Sequence, residues 1–189
     1  MNNIQREIGI VNLPNSLTVA RLIMIPVFLL AASMKCHYAD YIAAGIFITA
    51  AITDGLDGYL ARKKNQTTLL GQFLDPVADK ILVAAALIIL VEIGRIPGWI
   101  AIIIVSREIA VTGLRTVAAA QGIVIAASCL GKIKTVTQII AISAFLLDNF
   151  PFYLINFPFA YVALTFAMVF TLWSGVDYYL AFRLATKAR

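Results

Sequence analysis

The chain has 189 residues, 61% of them hydrophobic and only 13% charged, with a mean hydropathy of +0.91. Soluble domains run at roughly 45–50% apolar and about 25% charged, and disordered chains need low hydrophobicity and high charge; both classes are excluded, which leaves an integral membrane protein. The formal charge of +5 fits basic residues gathered in cytoplasmic loops, so the expected partner is the lipid bilayer and not nucleic acid.

A spanning helix needs about 20 mainly apolar residues, within a range of roughly 17–25. Met1 to Asn15 is polar and has no apolar run ending in a small-residue cleavage site, so no cleaved signal is expected. Within it, Ile4, Ile8, Ile10 and Val11 suit a short helix lying in the membrane interface. The first span is expected over Leu17 to Met34, with Arg21 as its one charge. The second starts at Tyr41, is apolar to Thr53 and continues as Asp54-Gly-Leu-Asp-Gly-Tyr-Leu-Ala61. A third covers Pro76 to Ile93. A fourth follows Gly94-Arg-Ile-Pro-Gly98 and stays apolar until Arg107 and Glu108. The fifth runs from Gly131 to Leu147, and the sixth lies without charge between Asn149 and Val176. The expected fold is all-α: an interfacial segment (1–14), a bundle of six transmembrane helices (15–182) and a basic tail (183–189).

With the N-terminus in the cytoplasm, Arg62, Lys63, Lys64, Lys132, Lys134, Arg183, Lys187 and Arg189 all lie on the cytoplasmic side. Lys35 and Arg95 alone stay outside. That asymmetry is the positive-inside pattern, and it puts both termini in the cytoplasm. Cys36 and Cys129 are too few for a disulfide framework and read as packing residues, and the Cys36–His37 neighbours read as a solvated loop. Glu92 and Asp148 read as interface residues and the Trp and Tyr side chains as belts or packing.

Of the ten acidic residues, four lie between positions 54 and 79. A carboxylate within the bilayer costs a few kcal/mol and usually serves a function. Asp54 and Asp57 are spaced i, i+3, and Asp75 and Asp79 i, i+4, so each pair shares a helix face. A short loop from Arg62 to Leu70 makes the two helices antiparallel neighbours, with both pairs at one cytoplasmic depth. Four carboxylates so close need counter-charge. An all-oxygen set suits Mg²⁺, Mn²⁺ or Ca²⁺, and is sufficient for two metals acting on a phosphoryl group. Gly55, Gly58, Ala61, Gly71 and Ala78 let the helices approach and leave room for a bulky ligand.

The string Asp54-x-x-Asp57-Gly58-x-x-Ala61-Arg62, eight residues, then Gly71-x-x-x-Asp75-x-x-x-Asp79 resembles the signature of the CDP-alcohol phosphatidyltransferase family at all eight positions. The resemblance implies a bacterial cell-membrane enzyme, active at the cytoplasmic side and homodimeric, that moves a phosphatidyl group from CDP-diacylglycerol to an alcohol and releases CMP. It implies Asp54, Asp57 and Asp75 as ligands of two divalent metal ions, Mg²⁺ or Mn²⁺. Asp79 becomes the general base and shares a metal. Gly58, Ala61, Arg62 and Gly71 fall to the CDP-diacylglycerol site.

A second, basic set indicates the acceptor. Arg107 and Arg115 are about 80° apart on a helix turning 100° per residue, so both can line one wall of a cavity. Lys132 and Lys134 open the next helix at a similar level, and Glu108 is placed to orient one of the arginines. Arginine buried in a membrane helix calls for an anion, and phosphate suits its fork. The stretches Ser106-Arg-Glu-Ile-Ala-Val-Thr-Gly-Leu-Arg115 and Gly131-Lys-Ile-Lys-Thr135 resemble the branch of the family that uses glycerol 3-phosphate. Pro14-Asn-Ser-Leu-Thr-Val-Ala-Arg21 is similar to that branch's first helix and implies Asn15, Thr18 and Arg21 near the nucleotide. Phosphatidylglycerol or inositol phosphate is the alternative acceptor. A divalent-cation transporter is the alternative from another class, disfavoured because the aspartates cluster at one depth instead of spanning the membrane.

Overall fold

A computed structural model describes the backbone of residues 13–34, 38–64, 69–122 and 129–187. It describes their side chains except at 13–19, 54–64, 69–76 and 79. The described residues form six α-helices and no strand: α1 (Leu13–Ser33), α2 (Ala39–Lys64), α3 (Leu69–Glu92), α4 (Gly98–Ala120), α5 (Cys129–Leu146) and α6 (Phe159–Lys187), with a short 3₁₀ turn at Phe152–Ile155. Among them, α5 and α6 are long and apolar enough to cross a membrane, and Ala20–Ser33 and Ala39–Thr53 are shorter apolar stretches. This is consistent with a membrane protein. The expected interfacial segment and the Cys36–His37 loop lie outside the described residues.

The chain divides into two compact units, residues 1–89 and 90–189. In the first, α1 packs on α2. Arg21, Ile25 and Phe28 are buried at i, i+4, i+7 on α1, against Ala39, Ala43, Phe47 and Ala50 on α2. The alanines let the backbones approach, and the Phe28 and Phe47 rings meet with centroids 6.1 Å apart. Hydroxyls within the apolar stretches are satisfied by their own helix, as Thr49 Oγ1 donating to the Gly45 carbonyl and Thr53 Oγ1 to that of Thr49, both at 2.7 Å. That pattern suits a solvent without hydrogen-bonding groups.

In the second unit α6 packs against both α4 and α5. Its buried stripe is Ala160, Ala163, Ala167, Thr171, Ser174 and Tyr178, mostly small. Tyr161, Phe166, Val169, Leu172, Trp173, Val176 and Leu180 are exposed. Small residues inside and large apolar ones outside is the reverse of a soluble helix and fits a lipid surround. Arg107 meets Ser174 and Arg115 meets Tyr178, so α4 and α6 advance in the same direction. Gln138 meets Thr171 and Phe145 meets Tyr161, so α5 runs antiparallel to α6.

The turns have local causes. Gly94, at φ 73°, ends α3: its N–H donates to the Val91 carbonyl at 3.0 Å and the Arg95 N–H to that of Leu90 at 2.9 Å, a Schellman closure. Asp148, at φ 52°, takes the same role after α5, its N–H donating to Phe145 and the Asn149 N–H to Ala144. Arg95 then donates from Nη1 to the carbonyls of Phe145 at 2.7 Å and Leu146 at 3.1 Å, satisfying acceptors that a helix end leaves open.

Several expected boundaries move. The segment expected to start at Asn149 begins as a helix only at Phe159, because the intervening residues form turns with Asn149 and Asn156 in the left-handed region. Asn149 Oδ1 accepts the Ala160 N–H at 2.9 Å and so caps α6 from a distance. The helix continues to Lys187, so residues 183–187 of the expected tail are helical. The third helix starts at Leu69 and runs through Pro76, which had been expected to open it; membrane helices tolerate interior proline. Arg62, Lys63 and Lys64 end α2 and do not lie in a loop. Cys129 is exposed at the first turn of α5 and is not a packing residue.

Candidate functional site

The aspartate signature sits entirely on regular helix. Asp54, Asp57, Gly58 and Ala61 fall on α2 at i, i+3, i+4, i+7, a single face of a helix continuous to Lys64. Gly71, Asp75 and Asp79 fall on α3 at i, i+4, i+8, again one face, since that helix begins before Gly71. Helical backbone through both strings holds each carboxylate pair in register. Among the described side chains no group of three or more His, Cys, Asp or Glu comes together, and these four aspartates lie outside that set. Four carboxylates are an all-oxygen donor set, which fits hard divalent cations.

Of the residues expected beside the nucleotide, Asn15 and Thr18 stand in α1, Arg62 in α2 and Gly71 in α3. Arg21 is 1% exposed, on the face of α1 that packs against α2. A long cation so placed is a costly choice for a purely structural position.

The basic set resolves into a buried core and an exposed margin. Glu108 Oε1 accepts from Arg107 Nη1 at 3.0 Å and pairs with Lys134 Nζ at 2.6 Å. The three side chains are only 10%, 13% and 8% exposed in the order Arg107, Glu108, Lys134. One carboxylate therefore bridges two buried cations, and these three groups by themselves carry one excess positive charge in a low-dielectric setting. That is the electrostatic condition for receiving an oxyanion. Arg107 also donates from Nη2 to Ser174 Oγ at 2.8 Å. Arg115 and Lys132 are exposed, and Arg115 has its guanidinium carbon 5.9 Å from the centre of the Tyr178 ring. Thus Arg107 and Lys134 are joined, while Arg115 stands two turns farther along α4 and follows the same face of α6.

Sequence reasoning missed the contribution of α6. Ser174, Thr171 and Tyr178 lie on its buried stripe, and the available signal was polar residues recurring at i, i+3, i+7 in an otherwise apolar span. Asp177, the carboxylate of that helix, makes no ion pair among the described residues.

Residues 11–173 match the family described as CDP-alcohol phosphatidyltransferase. The chain belongs to this family. Among its relatives, a CDP-diacylglycerol–glycerol-3-phosphate 3-phosphatidyltransferase of Bacillus subtilis is 51% identical over 180 residues, covering 89% of this chain and 93% of the relative. A probable phosphatidylglycerophosphate synthase of Mycobacterium tuberculosis is 43% identical over 172 residues, covering 89% and 80%. A Haemophilus influenzae protein with the same description as the first is 46% identical over 140 residues, covering 71% and 75%.

Proposed function

We propose that this phosphatidyltransferase moves the phosphatidyl group of CDP-diacylglycerol to glycerol 3-phosphate, giving phosphatidylglycerophosphate and CMP in phospholipid biosynthesis. The observation that carries the reading is 51% identity, across 89% of the chain, to a relative of that description. The buried Arg107–Glu108–Lys134 cluster supports the choice of acceptor, because a phosphate-bearing alcohol supplies the anion its excess charge calls for.

In this reading the protein spans the cell membrane as six helices, with both termini and the active site at the cytoplasmic side, and works as a homodimer. Asp54, Asp57, Asp75 and Asp79 hold two divalent metal ions, Mg²⁺ or Mn²⁺, whose chemistry when bound is to neutralise charge on the phosphoryl groups. Asp79 takes the proton from the attacking hydroxyl of glycerol 3-phosphate. A new P–O bond forms at the phosphorus that carries diacylglycerol, and the bond from that phosphorus to CMP breaks. Gly58, Ala61 and Gly71 leave space for the nucleotide, and Asn15, Thr18, Arg21 and Arg62 line it. Arg107 and Lys134, with Arg115 and Lys132 at the margin, hold the acceptor phosphate, so the work of these residues is positioning and charge stabilisation.

The test is CMP release by purified full-length protein from CDP-diacylglycerol with Mg²⁺ or Mn²⁺. Glycerol 3-phosphate, inositol phosphate, phosphatidylglycerol or no acceptor is offered in parallel. Release is expected only with metal and glycerol 3-phosphate, and Asp79→Asn lowers it by about 10²–10⁴-fold, the usual contribution of a general base. Release with a different acceptor overturns the assignment of the basic cluster and leaves the aspartates in place. Metal flux into vesicles without CDP-lipid turnover overturns the transferase itself.

A further inference from the structure

We propose that Ser174 and Gly175 of α6 are positioning residues that seat Arg107 for the acceptor phosphate; this rests on the assignment of Arg107 to that phosphate. Ser174 is fully buried. Its hydroxyl donates to the Phe170 carbonyl of its own helix at 2.6 Å, which leaves oxygen lone pairs to accept from outside. An oxygen fixed in that sense receives a cation's N–H and has no proton to offer an anion. Arg107 Nη2 takes that place at 2.8 Å while Nη1 is held by Glu108 at 3.0 Å. The guanidinium is thus pinned from two helices, which fixes the plane in which its remaining N–H groups act.

One of those groups is an orphan. Arg107 Nε is buried and has no hydrogen-bond partner, in a side chain that is only 10% exposed. A buried N–H left unpaired is costly unless a ligand completes it. Beside it stands Gly175, where a Cβ would come within 3.3 Å of Arg107 Cγ and 3.7 Å of Nε. Glycine here lets the Arg107 stem lie close against α6, where a side chain would push it away. Ser174 fixes the fork, Gly175 admits the stem, and Nε is the buried donor that a phosphate oxygen would complete.

The experiment measures steady-state CMP release by the full-length protein in detergent, varying glycerol 3-phosphate and CDP-diacylglycerol separately, with thermal melting of each variant. Ser174→Ala removes one hydrogen bond to a charged group and is expected to raise the KM for glycerol 3-phosphate about tenfold. The KM for CDP-diacylglycerol stays near wild type, while the buried Nη2 left without its acceptor lowers the melting temperature modestly. Ser174→Thr, which restores the hydroxyl, recovers most of the loss. Gly175→Ala keeps the hydroxyl but crowds the guanidinium, and raises the same KM. Arg107→Lys, which keeps the charge and loses the fork, is run beside them. If Arg107→Lys raises the acceptor KM while Ser174→Ala and Gly175→Ala do not, the seat is overturned and the acceptor assignment stands. If Arg107→Lys leaves the acceptor KM unchanged, the assignment fails and the seat fails with it. Equal increases in both KM values with a lowered melting temperature, or no recovery in Ser174→Thr, reduce Ser174 to a packing residue and overturn the proposal.

Discussion

Glu108 carries an unusual load for one side chain. Its Oε1 receives Arg107 at 3.0 Å and Lys134 at 2.6 Å, so removing its charge takes from two buried cations the carboxylate they share. Breaking a buried pair by taking away one partner costs about 3–5 kcal/mol, mostly because the surviving charge is stranded. Glu108→Gln is therefore expected to destabilise the protein by about 3 kcal/mol, read as a shift in its unfolding transition in mixed SDS micelles. Adding Lys134→Met, which removes one of the two cations but keeps the bulk, is expected to return part of that loss. A Glu108→Gln protein as stable as wild type would mean that the carboxylate does not hold the pair together. The adjacency of Arg107 and Glu108 was legible in the chain. The burial of Lys134 was not, because a lysine two residues from another lysine at a helix start reads equally well as a surface anchor until the fold shows what it faces.

At the scale of the element, α5 and α6 are pinned by a polar contact in the middle of their apolar interface. Gln138 Nε2 donates to Thr171 Oγ1 at 2.9 Å, with both residues buried. Interhelical hydrogen bonds in membranes average about 0.6 kcal/mol and reach about 1.7, while a buried donor left without its acceptor adds a desolvation cost of its own. Thr171→Val, nearly the same shape, is expected to cost about 1–2 kcal/mol in the same unfolding assay. Combined with Gln138→Leu it should cost less than the single change, since no orphan donor remains. Equal or additive losses would show that the pair contributes only by packing. Helices of this kind were visible in the sequence as apolar runs, but their ends were not. The run after Asn149 is apolar enough to pass for helix, yet Pro151, Asn156 and Pro158 break it and α6 begins at Phe159. Conversely, Pro76 looked like a start and is interior, because a proline weakens one hydrogen bond of a helix whose neighbours keep the rest.

For the whole molecule, composition alone indicated a membrane protein, and the string from Asp54 to Asp79 indicated the family that residues 11–173 match. What a linear reading could not supply was which polar residues of the last helix meet which of the fourth, since 67 positions separate Arg107 from Ser174. The remaining question at this scale is sidedness, and α5 offers a direct handle. Its 18 residues rise about 27 Å at 1.5 Å per residue, close to the roughly 30 Å of a hydrocarbon core. As a span, α5 would put its two ends at opposite faces. Cys129 is exposed at its start, and Asp148, just beyond its end, is 82% exposed. With basic residues on the cytoplasmic side, Cys129 should react with a membrane-impermeant maleimide only in inverted vesicles, measured in a Cys36→Ser protein. Asp148→Cys, in a chain with both natural cysteines replaced, should react only in intact spheroplasts. Labelling of both positions from one side would remove α5 as a span, and labelling with the sides exchanged would invert the orientation. The second result would put the acceptor cluster on the wrong face for a substrate made in the cytoplasm, so sidedness tests the proposed chemistry as well as the topology.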